Sequence, residues 1–317
     1  MTFIHESRDF GDAVDAMAAR MHIGRALVEK DYFVTHTLWA LHAAGLEVWF
    51  KGGTSLSKGF GIIERFSEDL DLKLEPGTAA GVPPVPNWKG GKEAHERARR
   101  AWFDALASAI RVPGCKVTLN LDLVDPRWRS AVLDVAYPGL FLPEIGAPAL
   151  PVVRLEVGSA RVAPFVERPV TSWVHDLFVE SGLIEGFADN RPPAVRCVHP
   201  VVTLVEKLDA VSRRFGRDDV APASFVRHYE DAARIAEALP RLPPIEGSLP
   251  ALVREMVAER QIRAVPSPDD PAFLLTGSPR EAAVRRVWAA IAPMYWGQRL
   301  SLDEACTRIR GWIAGIA

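Results

Sequence analysis

Three cysteines in 317 residues, Cys115, Cys197 and Cys306, are too few and too widely spaced for a disulfide scaffold or a metal knuckle. The plain expectation is reduced thiols in the cytoplasm. No stretch approaches the roughly 18 consecutive apolar residues of a membrane span, so no membrane partner is expected. Residues 1–20, MTFIHESRDFGDAVDAMAAR, are acidic and amphipathic and lack the apolar run of a secretory signal. An excess of one charge is missing too: the formal net charge is −2. That balance neither demands nor excludes nucleic acid, because a groove can be locally basic on a near-neutral protein. Internal repeats are absent. So are the phosphate motifs G-x-x-x-x-G-K-[ST] and G-x-G-x-x-G after a strand.

What is present suffices for two domains, or for one core with a large extension, with 48% hydrophobic residues over this length. Apolar spacing of three to four predicts helices over 8–20 and 23–44, the second ending before Gly45. LEVWFKGG reads as a strand broken by Gly52-Gly53, TSLSKGFG as a helix start, and DLDLKL as a half-buried strand. A Pro/Gly loop (76–91) leads to the helix KEAHERARRAWFDALASAI. Strands follow at 116–124, SAVLDVAY and 151–159, with a proline-rich turn at 138–150. Past residue 165 strand signals fade and five helical patterns take over. The expected fold is α/β (α+β): a small mixed-sheet core with N-terminal helices and a C-terminal helical domain, divided as 1–165 and 166–317.

The stretch FKGGTSLSKGFGIIERFSEDLDLKL (50–74) holds a glycine pair, hydroxyl residues and an Asp-x-Asp. Asp69 and Asp71 are two apart on a strand and share a face, while Leu70, Leu72 and Leu74 point the other way. Adjacent carboxylates repel unless something positive lies between them, and a divalent cation is the simplest partner. Mg²⁺ takes one or two carboxylates, with phosphates and water completing its shell. A strand ending in Gly-Gly and turning into a helix start offers backbone N–H groups to phosphate oxygens, with Thr54, Ser55 and Ser57 adding hydroxyls. Glu156, between Leu155 and Val157, supplies a third carboxylate. Together these are parts for nucleotidyl transfer, in which two ions about 3.5–4 Å apart activate the attacking hydroxyl and neutralise the leaving pyrophosphate. Taken singly, each element reads as a turn, a solvated strand face or a surface glutamate.

These residues resemble the DNA polymerase β-type nucleotidyltransferase superfamily. More narrowly, EKDYFVTHTLWAL (29–41), FKGGTSLSK (50–58), RFSEDLDL (65–72), VVRLEVG (152–158) and EKLDAVSRR (206–214) resemble the AbiEii/AbiGii-type toxin nucleotidyltransferases, which include the MenT-type toxins. The resemblance implies a type IV-style toxin that moves a nucleoside monophosphate from an NTP to the 3′ acceptor end of tRNA with Mg²⁺ (or Mn²⁺). It also implies a cognate antitoxin, often a winged-helix, AbiEi-like protein. Carried over by position, Asp69, Asp71 and Glu156 match the metal-binding and catalytic carboxylates. Gly52, Gly53 and Ser55 match the nucleotide-cradling turn. Lys207 matches a catalytic lysine on a helix after the sheet, and Asp231, in preference to Asp218, matches a following aspartate.

Thr54, Lys58, Arg65 and Ser67 are further nucleotide-binding candidates, with Arg65 also able to pair with Glu64 or Glu68. Lys207 and Arg214, seven apart, share a helix face that is either a solvated face or a basic wall toward NTP or tRNA. Arg97, Arg99 and Arg100 beside Trp102 read first as a solvated helix face and second as RNA phosphate contacts. Lys30 and Asp31 read as anchors of the first helices. His199 and His228 have no metal spacing. Two alternatives remain in view: the same chemistry on a protein or small-molecule hydroxyl, and a non-catalytic partner-binding module on the same fold.

Overall fold

The computed structural model describes residues 2–67, 69–145 and 150–316. Helices α1 (Phe10–Met21) and α2 (Arg25–Ala43) open the chain within two residues of the expected bounds. Along α2, Val28, Tyr32, Phe33, Leu38 and Leu41 are buried, as helical spacing requires. The helix is covered all round, so Glu29, Lys30, Asp31, Thr35, His36 and Thr37 are buried with them. Buried charges need partners, and those of Asp31 matter below.

Strand β1 (Glu47–Lys51) runs into a turn made of the short α3 (Gly52–Thr54) and a π-helical turn at Ser55–Gly59. Strand β2 (Asp69–Glu75) alternates as its leucines dictate, with Leu70, Leu72 and Leu74 buried. After α4 (Glu93–Ala109) come β3 (Lys116–Asn120), β4 (Ser130–Ala136), β5 (Val153–Gly158) and β6 (Phe165–Arg168), then α5 (Trp173–Glu180) and β7 (Val195–Val198). The seven strands form one mixed sheet in the order β3-β4-β5-β2-β1-β7-β6. Pairing is antiparallel for β1/β2, β3/β4 and β4/β5, and parallel for β2/β5 and β1/β7.

Three expectations need correction. The strand expected over 116–124 stops at Asn120, where the Asn120 side chain accepts the Asp122 N–H and turns the chain into a single 3₁₀ turn. Leu121 and Leu123 are consequently exposed. Strand signals fade after 165 in the sequence, yet β6 and β7 complete the sheet, and β7 pairs with β1 in its interior. A four-residue run such as VRCV is too short for periodicity to reveal. Helix α5 was likewise not expected; it begins at an N-cap, Ser172, whose hydroxyl accepts the His175 N–H.

Two compact units result, each built from separated stretches of chain: 1–60, 67–162 and 167–197 in the first, and 61–66, 163–166 and 198–317 in the second. In the second, α6 (Pro200–Phe215), α7 (Arg227–Ala238), α8 (Leu249–Ala258), α9 (Pro271–Leu274), α10 (Pro279–Ala290) and α11 (Leu302–Ala314) follow one another. Helices α7 and α11 pack through Ala232, Ala233 and Ile235 and through Ala305, Ile309 and Ile313, all buried. The segment 61–66 belongs to this unit through Trp296 N–H to Glu64 O and Phe66 N–H to Met294 O. Among the described residues no helix is long and apolar enough to cross a membrane.

Candidate active site

The carboxylates are set by strand register. Asp71 lies opposite Lys51 on β1 and opposite Glu156 on β5, while Asp69 lies opposite Arg154. Asp71 and Glu156 are therefore direct neighbours on adjacent strands, about 5 Å apart in the sheet. Glu156 is exposed between buried Leu155 and Val157, and Asp69 and Asp71 are half-buried. Arg154 donates from Nε to Asp134 at 3.2 Å, so positive charge accompanies the acidic face.

Gly52 makes this arrangement possible. Its φ is +75°, a conformation that L side chains resist, and a Cβ there would fall 1.6 Å from Asp71 Oδ2. The Asp71 carboxylate thus rests directly on the backbone of the turn. Thr54 Oγ1 reaches the carbonyls of Ser67 at 3.0 Å and Asp69 at 2.6 Å, tying the turn to the start of β2. Thr54, expected to donate to a nucleotide, spends its one hydroxyl proton within the fold. Ser67, another expected ligand, is held to the turn by its carbonyl. Ser57 Oγ donates to Thr54 O. Gly53 and Ser55 are buried in the same turn.

The far end of the turn is fixed from three sides. Lys58 donates its ammonium to Asp31 Oδ1. Arg168 Nε donates to Gly59 O at 2.7 Å. A Cβ on Gly59 would meet Cys197 Sγ at 2.8 Å, so β7 packs tightly against this point. Burial pushes the Cys197 thiol up to about 11, only partly offset by the Ser55 hydroxyl and Arg168. It is an inert packing group. Lys58, expected at the nucleotide, is thus engaged by Asp31, whose Oδ2 accepts the Trp173 N–H at 3.0 Å. Arg168, Cys197 and this role of Asp31 escaped sequence reading. A signal did exist for Asp31: three successive charged residues cannot all reach water from an otherwise apolar helix.

In the second unit a buried ion cluster collects other candidates. Arg65, 3% exposed, donates from Nε and Nη2 to the two oxygens of Asp231 at 2.8 and 2.7 Å, and from Nη1 to Phe66 O. Its partner is therefore not Glu64, whose carboxylate lies against Gly297; Glu68 lies outside the described residues. Lys207 Nζ also donates to Asp231, at 2.8 Å. Burial alone would raise the Asp231 pKa, but the Arg65 and Lys207 charges reverse this and hold it well below the usual carboxylate range. Burial lowers Lys207, against the pull of Asp231.

Lys207 and Arg214 do share a face, and it is turned onto α7. Lys207 Nζ lies 3.3 Å from His228 Nδ1 and Arg214 Nη1 3.4 Å from His228 Nε2. A neutral imidazole accepts at one nitrogen only, so one of these contacts is not a hydrogen bond. Asp218 is exposed. His199 caps α6 by accepting the Val201 N–H.

The basic run on α4 comes apart. Arg99 is fully buried, bonding the carbonyls of Arg127, Asn87 and Gly90. It neither faces solvent nor is open to RNA phosphate. Arg97 pairs with Glu93 and Arg100 stacks over Trp128. Among the described residues no three His, Cys, Asp or Glu side chains form a ready-made metal cage. The aligned pair Asp71 and Glu156, with Asp69 beside them, fits the lesser demand of Mg²⁺, whose shell substrate phosphates and water complete.

No curated protein and no solved structure matches the chain. A family model described as nucleotidyl transferase AbiEii toxin, Type IV TA system, matches residues 37–308 and so takes in the glycine turn, the carboxylate strands and the buried ion cluster. The chain belongs to the AbiEii family of nucleotidyl transferase toxins of type IV toxin–antitoxin systems.

Proposed function

We propose that this toxin transfers a nucleoside monophosphate from an NTP to the 3′ acceptor end of tRNA, blocking translation, in a Mg²⁺-dependent reaction. The single observation that carries it is the seating of Asp71 on Gly52, beside Glu156. This is a carboxylate pair built onto a glycine turn. Asp69, Asp71 and Glu156 would hold the metal, which when bound supplies charge neutralisation at the phosphates and a more acidic acceptor hydroxyl. Gly52, Gly53 and Ser55 would receive the triphosphate at the backbone N–H groups of the turn, while the missing Cβ of Gly52 makes room for the Asp71 carboxylate. Glu156, the most exposed of the three carboxylates, would take the proton from the incoming 3′-hydroxyl. Lys207 and Asp231, bound to each other in the second unit, are the remaining catalytic candidates. A winged-helix, AbiEi-like antitoxin is the proposed partner.

The test is transfer of label from each α-labelled NTP into total tRNA with Mg²⁺, run beside Asp69→Ala and Asp71→Asn. Label in tRNA from one NTP, absent with either variant, is expected. Label in protein instead of tRNA would move the acceptor to a protein hydroxyl. No transfer at all would favour a binding module.

A further inference from the structure

We propose that Asp31 is a positioning residue for the nucleotide cradle, acting through Lys58 on the turn Ser55–Gly59; this rests on the reading of that turn as the cradle. Lys58 lies at the end of the turn farthest from β1, and its ammonium is bound to Asp31 Oδ1 with side-chain exposures of 9% and 5%. Asp31 Oδ2 takes the Trp173 N–H, the first helical residue of α5. One carboxylate on α2 therefore holds both the cradle and the start of α5. The Lys58 ammonium also lies 5.9 Å from the Trp173 ring centroid, closing the triangle.

The neighbours of Asp31 show the same design. Glu29 accepts the N–H groups of Leu140 at 2.6 Å and Phe141 at 3.1 Å, and Lys30 donates to Leu150 O at 2.9 Å. Three consecutive charges on α2 each clasp a different stretch of chain, and Asp31 clasps the cradle.

The chemistry follows from burial. A buried ion pair contributes little net stability, but losing one partner leaves an uncompensated charge, so the pair fixes geometry strongly. A lysine so held is not available to a triphosphate as a free point charge. It fixes the backbone of the turn on which Gly52 presents the Asp71 carboxylate. Displacing binding groups by about 1 Å can cost as much as a hundredfold in activity. Asp31 is thus expected to influence nucleotide affinity without touching nucleotide.

A double-mutant cycle separates this role from direct phosphate binding by Lys58. Asp31→Asn keeps the size and one acceptor oxygen but removes the charge; Lys58→Met keeps the stem and removes the ammonium. Dissociation constants for the four NTPs with Mg²⁺ are measured by calorimetry on wild type, both single variants and the double variant. Hydrogen exchange of residues 52–60 is followed in parallel, with β4 and β5 amides as the folding control.

Each single variant is expected to weaken binding about tenfold and to speed exchange over 52–60 alone, with the double variant losing about tenfold rather than about a hundredfold. Additive losses, or a Lys58→Met loss that Asp31→Asn does not share, would assign Lys58 to the phosphates and overturn the positioning role. Faster exchange everywhere would make Asp31 a general structural residue and overturn it too. If wild type binds no NTP, the functional reading itself fails. The exchange data then decide alone: selective loosening of 52–60 upholds the anchor, and unchanged exchange removes it.

Discussion

Replacing Gly52 with alanine tests the site at its tightest point. Two costs combine. Alanine at φ +75° carries about 1 kcal/mol of backbone strain relative to glycine. Its Cβ would sit 1.6 Å from Asp71 Oδ2 and 2.6 Å from Cγ, so the carboxylate must leave its rotamer, at about 0.5–1.5 kcal/mol. The expected total is about 1.5–2.5 kcal/mol, at roughly 2–4 °C of melting temperature per kcal/mol. Gly61 is the internal control. Its φ is +62°, and a Cβ there meets nothing within 4 Å, so Gly61→Ala carries only the strain. Both variants are compared by thermal melting and by NTP titration with Mg²⁺. Gly52→Ala should melt lower than Gly61→Ala and lose NTP binding, because Asp71 has been displaced. Equal melting of the two variants, with NTP binding intact in both, would refute the close approach of Asp71 to the turn as the basis of the site.

Arg65→Met should destabilise the protein by about 3–5 kcal/mol in urea unfolding, because it removes the bidentate partner of a buried carboxylate; a loss below about 1 kcal/mol would contradict this. Arg99→Ala should unfold more easily by about 2–4 kcal/mol, as several buried carbonyls lose a donor, while tRNA affinity of the folded protein stays unchanged. A gel-shift titration checks the second half.

His36 predicts a pH dependence. Its Nε2 must carry the proton it donates to Pro113 O, which leaves Nδ1 to accept from Asn190, so the neutral ring is the one that fits. Burial pushes its pKa down to about 4, only partly opposed by the Pro113 carbonyl. The unfolded state therefore binds more protons between the ordinary histidine value and about 4. Stability is full above the unfolded value and falls as pH drops toward 4, by on the order of 3 kcal/mol in total. His36→Gln should flatten the slope of stability against pH across that window; an unchanged slope would remove His36 as its source.

Much of the site could be read from residues 50–74, because alternation along one strand places Asp69 and Asp71 on one face without long-range information; that Glu156 lies opposite Asp71 depends on the register of β2 and β5. The closeness of Asp71 to Gly52 could not be read, since it depends on the antiparallel register of β1 and β2. Arg65 and Asp231 lie 166 positions apart, and no local pattern marks a pair at that distance. Arg99 shows the limit of helical periodicity: it falls at a polar-looking position, yet the loops around Asn87 and Arg127 close over it. β7 was hidden by its length and Asp31–Lys58 by separation along the chain. Lys30 and Asp31 nonetheless announced themselves as anchors, because charge inside an apolar helix requires a partner.

The most direct measurement is the α-labelled NTP assay with tRNA and Mg²⁺, comparing wild type with Asp71→Asn under conditions where both are folded by circular dichroism. Asp71→Asn keeps the shape that rests on Gly52 and removes the charge that a cation requires. Label entering the tRNA 3′ end with wild type, and falling by at least about a hundredfold with Asp71→Asn, is the predicted result. Equal labelling by both proteins would contradict a metal-dependent site centred on Asp71.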